Sequence, residues 1–184
     1  MNSRDVSGVG DTRVTRYDME QQGLRIARDL GLDELSFLVA SNLHWSFTRM
    51  RTFYERGPLA DDGLSLSGFV TLWALRVNGE MDAASIASEV CITRSSFSGL
   101  AGRLEERGLI ERREHPTDQR SYLFQLTPIG AEVIERVWPK VNGTAAQLSK
   151  HLGEARQRQL AEALGIVADH LESLVNQPGG SNQP

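Results

Sequence analysis

The sequence predicts a mainly α-helical fold carrying one small β-hairpin, and three observations lead to it. Along the 184 residues, runs with helical spacing of apolar side chains outnumber strand-like runs. Two helical segments, 83–90 and 94–107, are joined by so tight a turn that they form a helix-turn-helix. Directly behind them, strand-like runs at 109–113 and 121–126 flank a polar loop. That loop, His115-Pro116-Thr117-Asp118-Gln119-Arg120, is longer than the two-residue Asn-Gly or Asp-Gly turn of an economical hairpin. Beside such a helix pair, its length suggests contact with a partner.

Composition sets the outer limits. Hydrophobic residues make up 40% of the chain, enough for one core. No stretch approaches the roughly 18 unbroken apolar residues of a membrane helix, so no membrane partner is expected. The opening Met1-Asn2-Ser3-Arg4-Asp5 lacks an apolar signal region, and the single cysteine, Cys91, excludes an intrachain disulfide or a thiolate zinc cluster. A reducing cytoplasm fits both. The net charge of −4 argues against a nucleic-acid partner, but the arrangement of charge matters more than its sum. Between residues 94 and 122 every cation is an arginine: Arg94, Arg103, Arg107, Arg112, Arg113 and Arg120. They face Glu105, Glu106, Glu111, Glu114 and Asp118 in near balance. Arginine is the side chain suited to bidentate contact with phosphate or guanine.

Taken in order, residues 1–14 are polar and aperiodic and read as a disordered tail. A short helix at 17–30 ends before Gly31, and a longer one follows at 33–56. The latter carries Leu35, Leu38, Val39, Leu43, Trp45, Phe47, Met50 and Tyr54, a face too broad for one contact and suited to burial on two sides. Gly57-Pro58 stops it. Ser65 or Ser67 caps a third helix at 68–77, closed by Asn78-Gly79. Asp82 caps 83–90, Cys91-Ile92 breaks it, Thr93 caps 94–107, and Gly108 supplies a left-handed stop. Thr127-Pro128 opens a long helix, with Pro139 expected to interrupt it and bend it near Trp138. In the last helix, 154–175, Leu160, Leu164, Val167, Leu171 and Leu174 are spaced four, three, four and three, a seam suited to pairing helices. The tail 176–184 is polar and rich in Pro and Gly, hence disordered.

On the 94–107 helix, Phe97, Leu100, Ala101 and Leu104 share one face, while Ser95, Gly99, Gly102 and Glu106 run along the opposite line. Two helical glycines cost roughly 1 kcal/mol each relative to alanine, so something should compensate for them. One compensation is close approach to a DNA major groove, with Thr93, Arg94, Ser95, Ser96, Ser98, Gly99 and Arg103 as the contact residues. The other is close packing against a second helix. A hairpin placed directly behind such a helix makes a wing. Pro116 stiffens its tip, Thr117 can donate to a phosphate, and Arg120 can reach a narrow minor groove. Asp118 orients an arginine or caps the turn, with Gln119 beside it.

These residues resemble the wing region of the MarR family of bacterial transcription regulators. The family pattern is matched by Gly108-Leu109-Ile110-Glu111-Arg112, by Asp118-Gln119-Arg120-Ser121 and by Leu126-Thr127-Pro128-Ile129-Gly130. The resemblance implies a homodimer joined by helices at 33–57 and 128–175, with a winged helix-turn-helix at 64–127 projecting from a domain of 32–175. An extra N-terminal helix at 15–31 precedes it. It also implies binding to a pseudo-palindromic double-stranded operator, as a repressor released by a small aromatic or phenolic effector. His44, Trp45 and Arg49 are the effector candidates, since an arginine there can pair with a carboxylate.

Other classes receive less support. There is no G-x-S-x-G, Walker loop or H-E-x-x-H, so no catalytic residue and no cofactor is assigned. His44, His115, His151 and His170 lack ligand spacing, so no metal is assigned either. The urate-binding branch of the family has Asp and Arg where this chain has Val70 and Leu100. Two alternatives stay open: a winged-helix module for protein–protein contact without DNA, and a thiol redox sensor through Cys91. Against the second, Cys91 sits in the helix-turn-helix turn, a position that more often holds a small buried residue.

Overall fold

The computed structural model describes residues 14–115 and 121–175. The tails assigned to 1–14 and 176–184 therefore lie outside it but for Val14. The chain divides into two compact units, one within Met1–Phe53 and one within Tyr54–Pro184.

The first unit is a helical hairpin of α1 (Arg16–Asp29) and most of α2 (Glu34–Arg56). Thr15 and Asp18 form a reciprocal capping box at the start of α1. The Asp33 carboxylate accepts the Leu35 and Ser36 N–H groups at 3.2 and 3.0 Å to start α2. Gly23 lets the helices approach, because a Cβ there would lie 2.2 Å from the Phe37 ring. Arg16 donates to Asn42 (2.8 Å) and Arg28 pairs with Glu34 (2.7 Å) across the hairpin. Leu35, Val39 and Phe47 remain 48–68% exposed in the single chain.

The second unit holds α3 (Leu66–Asn78), β1 (Met81–Asp82), α4 (Ala83–Glu89), α5 (Arg94–Glu106), β2 (Ile110–Glu114), β3 (Tyr122–Leu126), α6 (Pro128–Ser149), a 3-10 turn (Lys150–Leu152) and α7 (Glu154–Val175). Ser65, the earlier of the two candidate caps, starts α3 by accepting the Gly68 N–H. The sheet order is β1-β3-β2, antiparallel throughout, with Arg112 opposite Phe124 and Asp82 opposite Leu123. The sequence had suggested only the hairpin. The third strand is two residues long, and one of them, Asp82, is also the N-cap of α4. The core gathers Phe69, Leu72, Leu75, Ile86, Phe97, Leu104, Ile110, Phe124, Ile134 and Val137, each at most 6% exposed.

Two expectations need correction. The long helix is not broken at Pro139: α6 runs unbroken from Pro128 to Ser149. Pro139 lies on the exposed side, where solvent can replace the hydrogen bond its missing N–H leaves unmade. Cys91 is exposed, not buried. Its N–H donates to the Ser88 carbonyl at 3.0 Å and the Ile92 N–H to Ala87 at 2.9 Å, the paired bonds of a Schellman stop. That stop puts Cys91 in the left-handed region, φ 54, where it is exposed, while Ile92 beside it is half-buried.

The last helix, α7, has no buried residue. Leu160, Leu164, Leu171 and Leu174 of its seam are 43–51% exposed. At roughly 25 cal/mol per Å² of apolar surface, such a row is costly to leave in water.

Candidate nucleic-acid interface

Helix α5 is built to present one side outward. Thr93 has extended backbone (φ −71, ψ 155), and its hydroxyl accepts the Ser96 N–H at 3.1 Å. The same hydroxyl donates to Ser96 Oγ at 2.8 Å and lies 3.0 Å from Ser95 Oγ. Three hydroxyls thus cluster at the helix N-terminus, where the dipole and the unpaired N–H groups favour an anion. Phe97, Leu100, Ala101 and Leu104 point inward at 1–5% exposure, and the Phe97 ring meets Phe124 edge-on at 5.2 Å. Arg94, Ser95, Ser96, Ser98, Gly99 and Arg103 are all exposed. A Cβ on Gly102 would meet nothing within 4 Å, and one on Gly99 only Arg103 Nη1 at 3.8 Å. Among the described residues no second helix packs against the glycines, so the close-packing alternative has no support there.

The structure sorts the arginines that the sequence left together. Arg107 donates to the backbone carbonyls of Gly63 (3.0 Å) and Asp62 (2.6 Å). Arg112 lies 3.4 Å from Glu105 and stacks over the Tyr122 ring at 5.0 Å. Arg113 forms a two-pronged pair with Glu80, which holds that carboxyl below its ordinary range. These three brace the stem of the hairpin and the end of α5. Arg94 and Arg103 pair with no carboxylate among the described residues. The tip, Thr117, Asp118, Gln119 and Arg120, lies outside the described residues.

Thr127 ties the hairpin to α6. Its hydroxyl donates to the Gly108 carbonyl at 2.6 Å and accepts the Gly130 N–H at 3.0 Å.

The sequence matches the MarR family model over residues 64–122, the stretch from the start of α3 into β3. A transcriptional regulator of Neisseria gonorrhoeae, FarR, is 31% identical over 100 residues, covering 54% of this chain and 68% of the relative. The chain belongs to the MarR family. As a MarR-family transcriptional regulator it has further likenesses. The Pseudomonas putida repressor IacR is 29% identical over 103 residues, 56% of this chain and 62% of that one. The MarR-family regulator Sco3205 of Streptomyces coelicolor, solved in complex with DNA, superimposes with a TM-score of 0.69. It is 27% identical, with 82% of this chain and 96% of that one covered. The winged-helix architecture and the mainly α class expected from this MarR-family sequence are those observed.

The effector candidates lie together on α2. The Arg49 guanidinium sits 5.6 Å from the Trp45 ring centre, and His44 meets that ring edge-on at 6.2 Å. Trp45 alone of the three lines a groove of about 320 Å³ with Met19, Gly23, Ile26 and Phe37. A second groove, about 400 Å³, was not anticipated: Trp73 and Trp138 stack at 4.0 Å inside it, with Arg76 and Glu135 at its edge. The two tryptophans come from α3 and α6, so no local spacing signals their meeting.

Proposed function

We propose that this regulator binds a pseudo-palindromic DNA operator as a homodimer, laying α5 in the major groove. The hairpin tip of Thr117, Asp118, Gln119 and Arg120 lies along the adjacent backbone or in the minor groove. One observation carries the reading: the Ser95–Gly99–Gly102 line of α5 is open to solvent, with Arg94 and Arg103, which pair with no carboxylate among the described residues, beside it, while the opposite side is fully buried. A helix with two glycines on its outer line brings its backbone close to base edges, and flanking guanidiniums supply the phosphate or guanine contacts. Thr93 organises the N-terminal turn, while Ser95, Ser96 and Ser98 offer hydroxyls to the same surface. The exposed leucines of α7 and the apolar face of α2 favour a dimer, and two-fold symmetry then sets the recognition helices about 34 Å apart.

The regulator acts as a repressor, as the name of its relative IacR supports, and a small aromatic or phenolic effector releases it. His44, Trp45 and Arg49 form the effector contact surface, a ring with a cation beside it. Gel-shift titration against the protein's own promoter region, at fixed salt, tests the reading. Arg103→Ala and Arg120→Ala should each weaken binding by about 1–3 kcal/mol. Wild-type protein that shifts no duplex would leave the protein–protein module as the function.

A further inference from the structure

We propose that the loop at 57–64 is a clamp that fixes the angle between α5 and α6, with Asp62 and Arg107 as its positioning residues. The loop is rigid on its own account. Leu59 and Leu64 anchor it in the core at 0% and 4% exposure. The Leu59 N–H donates to Tyr54, Gly63 to Ala60 and Leu64 to Leu59, all at 3.0–3.1 Å. Gly63 turns it at φ 55.

Two helices grip this loop from different directions. Arg107, the C-cap of α5, forks onto the successive carbonyls of Asp62 and Gly63 at 2.6 and 3.0 Å. The Asp62 carboxylate, only 10% exposed, takes Arg136 of α6 at 2.5 Å through Oδ1. Its Oδ2 is buried and accepts no hydrogen bond among the described residues, and Lys140, one turn along α6 from Arg136, lies 3.9 Å from it. Asp61 holds Lys140 from the solvent side at 3.6 Å. One residue therefore joins the end of the recognition helix, through its backbone, to α6, through its side chain.

The chemistry makes this joint stiff. A planar guanidinium satisfies both carbonyls only in one orientation. A buried carboxylate loses its compensation if the cations move away, so α6 cannot slide past the loop at small cost. The proposal rests on the reading of a dimeric DNA binder. Since α6 leads into α7, a fixed α5–α6 angle there becomes a fixed separation of two recognition helices.

The test uses the full-length protein and a duplex selected by the wild type from a random-sequence pool, together with versions carrying one base pair more or fewer between half-sites. Wild type is expected to bind the altered duplexes at least tenfold more weakly. Asp62→Asn and Arg107→Ala should bind the selected duplex about tenfold more weakly and discriminate the altered spacings less than threefold. The slope of affinity against salt should be unchanged, because no phosphate contact is lost. The Asp62 side chain is only 10% exposed, so its variant is paired with Arg107→Ala, whose residue is exposed, and melting curves accompany both. Folded variants that keep the full spacing penalty overturn the clamp. A wild type that selects no duplex overturns the DNA-binding reading and the clamp with it.

Discussion

Gly130 and Leu109 touch backbone to backbone: a Cβ on Gly130 would lie 1.9 Å from the Leu109 carbonyl oxygen. The first turn of α6 is thereby seated on the start of the hairpin, and the Thr127 N–H donates to the same carbonyl at 3.2 Å. Gly130→Ala should destabilise the protein by about 1–3 kcal/mol, the range for forcing extra volume into a packed site. Urea denaturation measures it, and an unchanged midpoint would mean the helix can retreat freely.

The glycines of α5 should behave in the opposite sense. With open space at Gly102 and ordinary contact distance at Gly99, alanine at either position should raise stability by about 0.5–1 kcal/mol. The same substitutions should reduce affinity for duplex DNA, about tenfold for a mismatch worth roughly 1.4 kcal/mol. Denaturation and gel-shift titration of the same variants separate the two effects. A gain in stability with undiminished binding would take this helix face out of the groove.

Cys91 occupies a left-handed position that glycine fills without strain. Cys91→Gly should therefore stabilise the helix-turn-helix by about 1 kcal/mol, read from thermal melts. The redox alternative makes its own prediction on the same residue: Cys91→Ser would lose peroxide-driven release from DNA. Identical release curves for Cys91→Ser and wild type are expected.

Asp82 gives a pH signature. The Ser85 hydroxyl, then the Ser85 and Ala84 N–H groups, hold its carboxyl below the ordinary value of 3.8. A depressed folded-state pKa contributes stability that is complete above the unfolded value and fades as pH falls through the folded one. Asp82→Ala should cost about 1 kcal/mol near pH 7. The gap between variant and wild type should narrow as pH falls below 3.8. Denaturation curves across that range check both.

What the sequence made legible is what local punctuation encodes. Asp82, Thr93 and Thr127 cap their helices and Gly108 ends α5 at φ 64, because caps and stops depend on neighbours within four residues. The inward face of α5 was equally readable from its period. Strand β1 was not, since two residues carry no alternation and Asp82 already reads as a cap. The roles of the arginines were hidden for a different reason. Arg107 meets carbonyls 44 and 45 residues away, and Arg113 meets Glu80 at a separation of 33, distances at which no spacing rule operates. Cys91 misled because the identity of a side chain says nothing of the left-handed backbone that turns it outward.

The double membership of Asp82 has a mechanical outcome. As a sheet residue it lies opposite Leu123 of the hairpin, and as a cap it begins α4, the helix that precedes α5. Tilting the hairpin therefore pulls on the first turn of α4, because one residue belongs to both. In the proposed DNA complex, any change that turns the hairpin would be felt at the start of α4 as well.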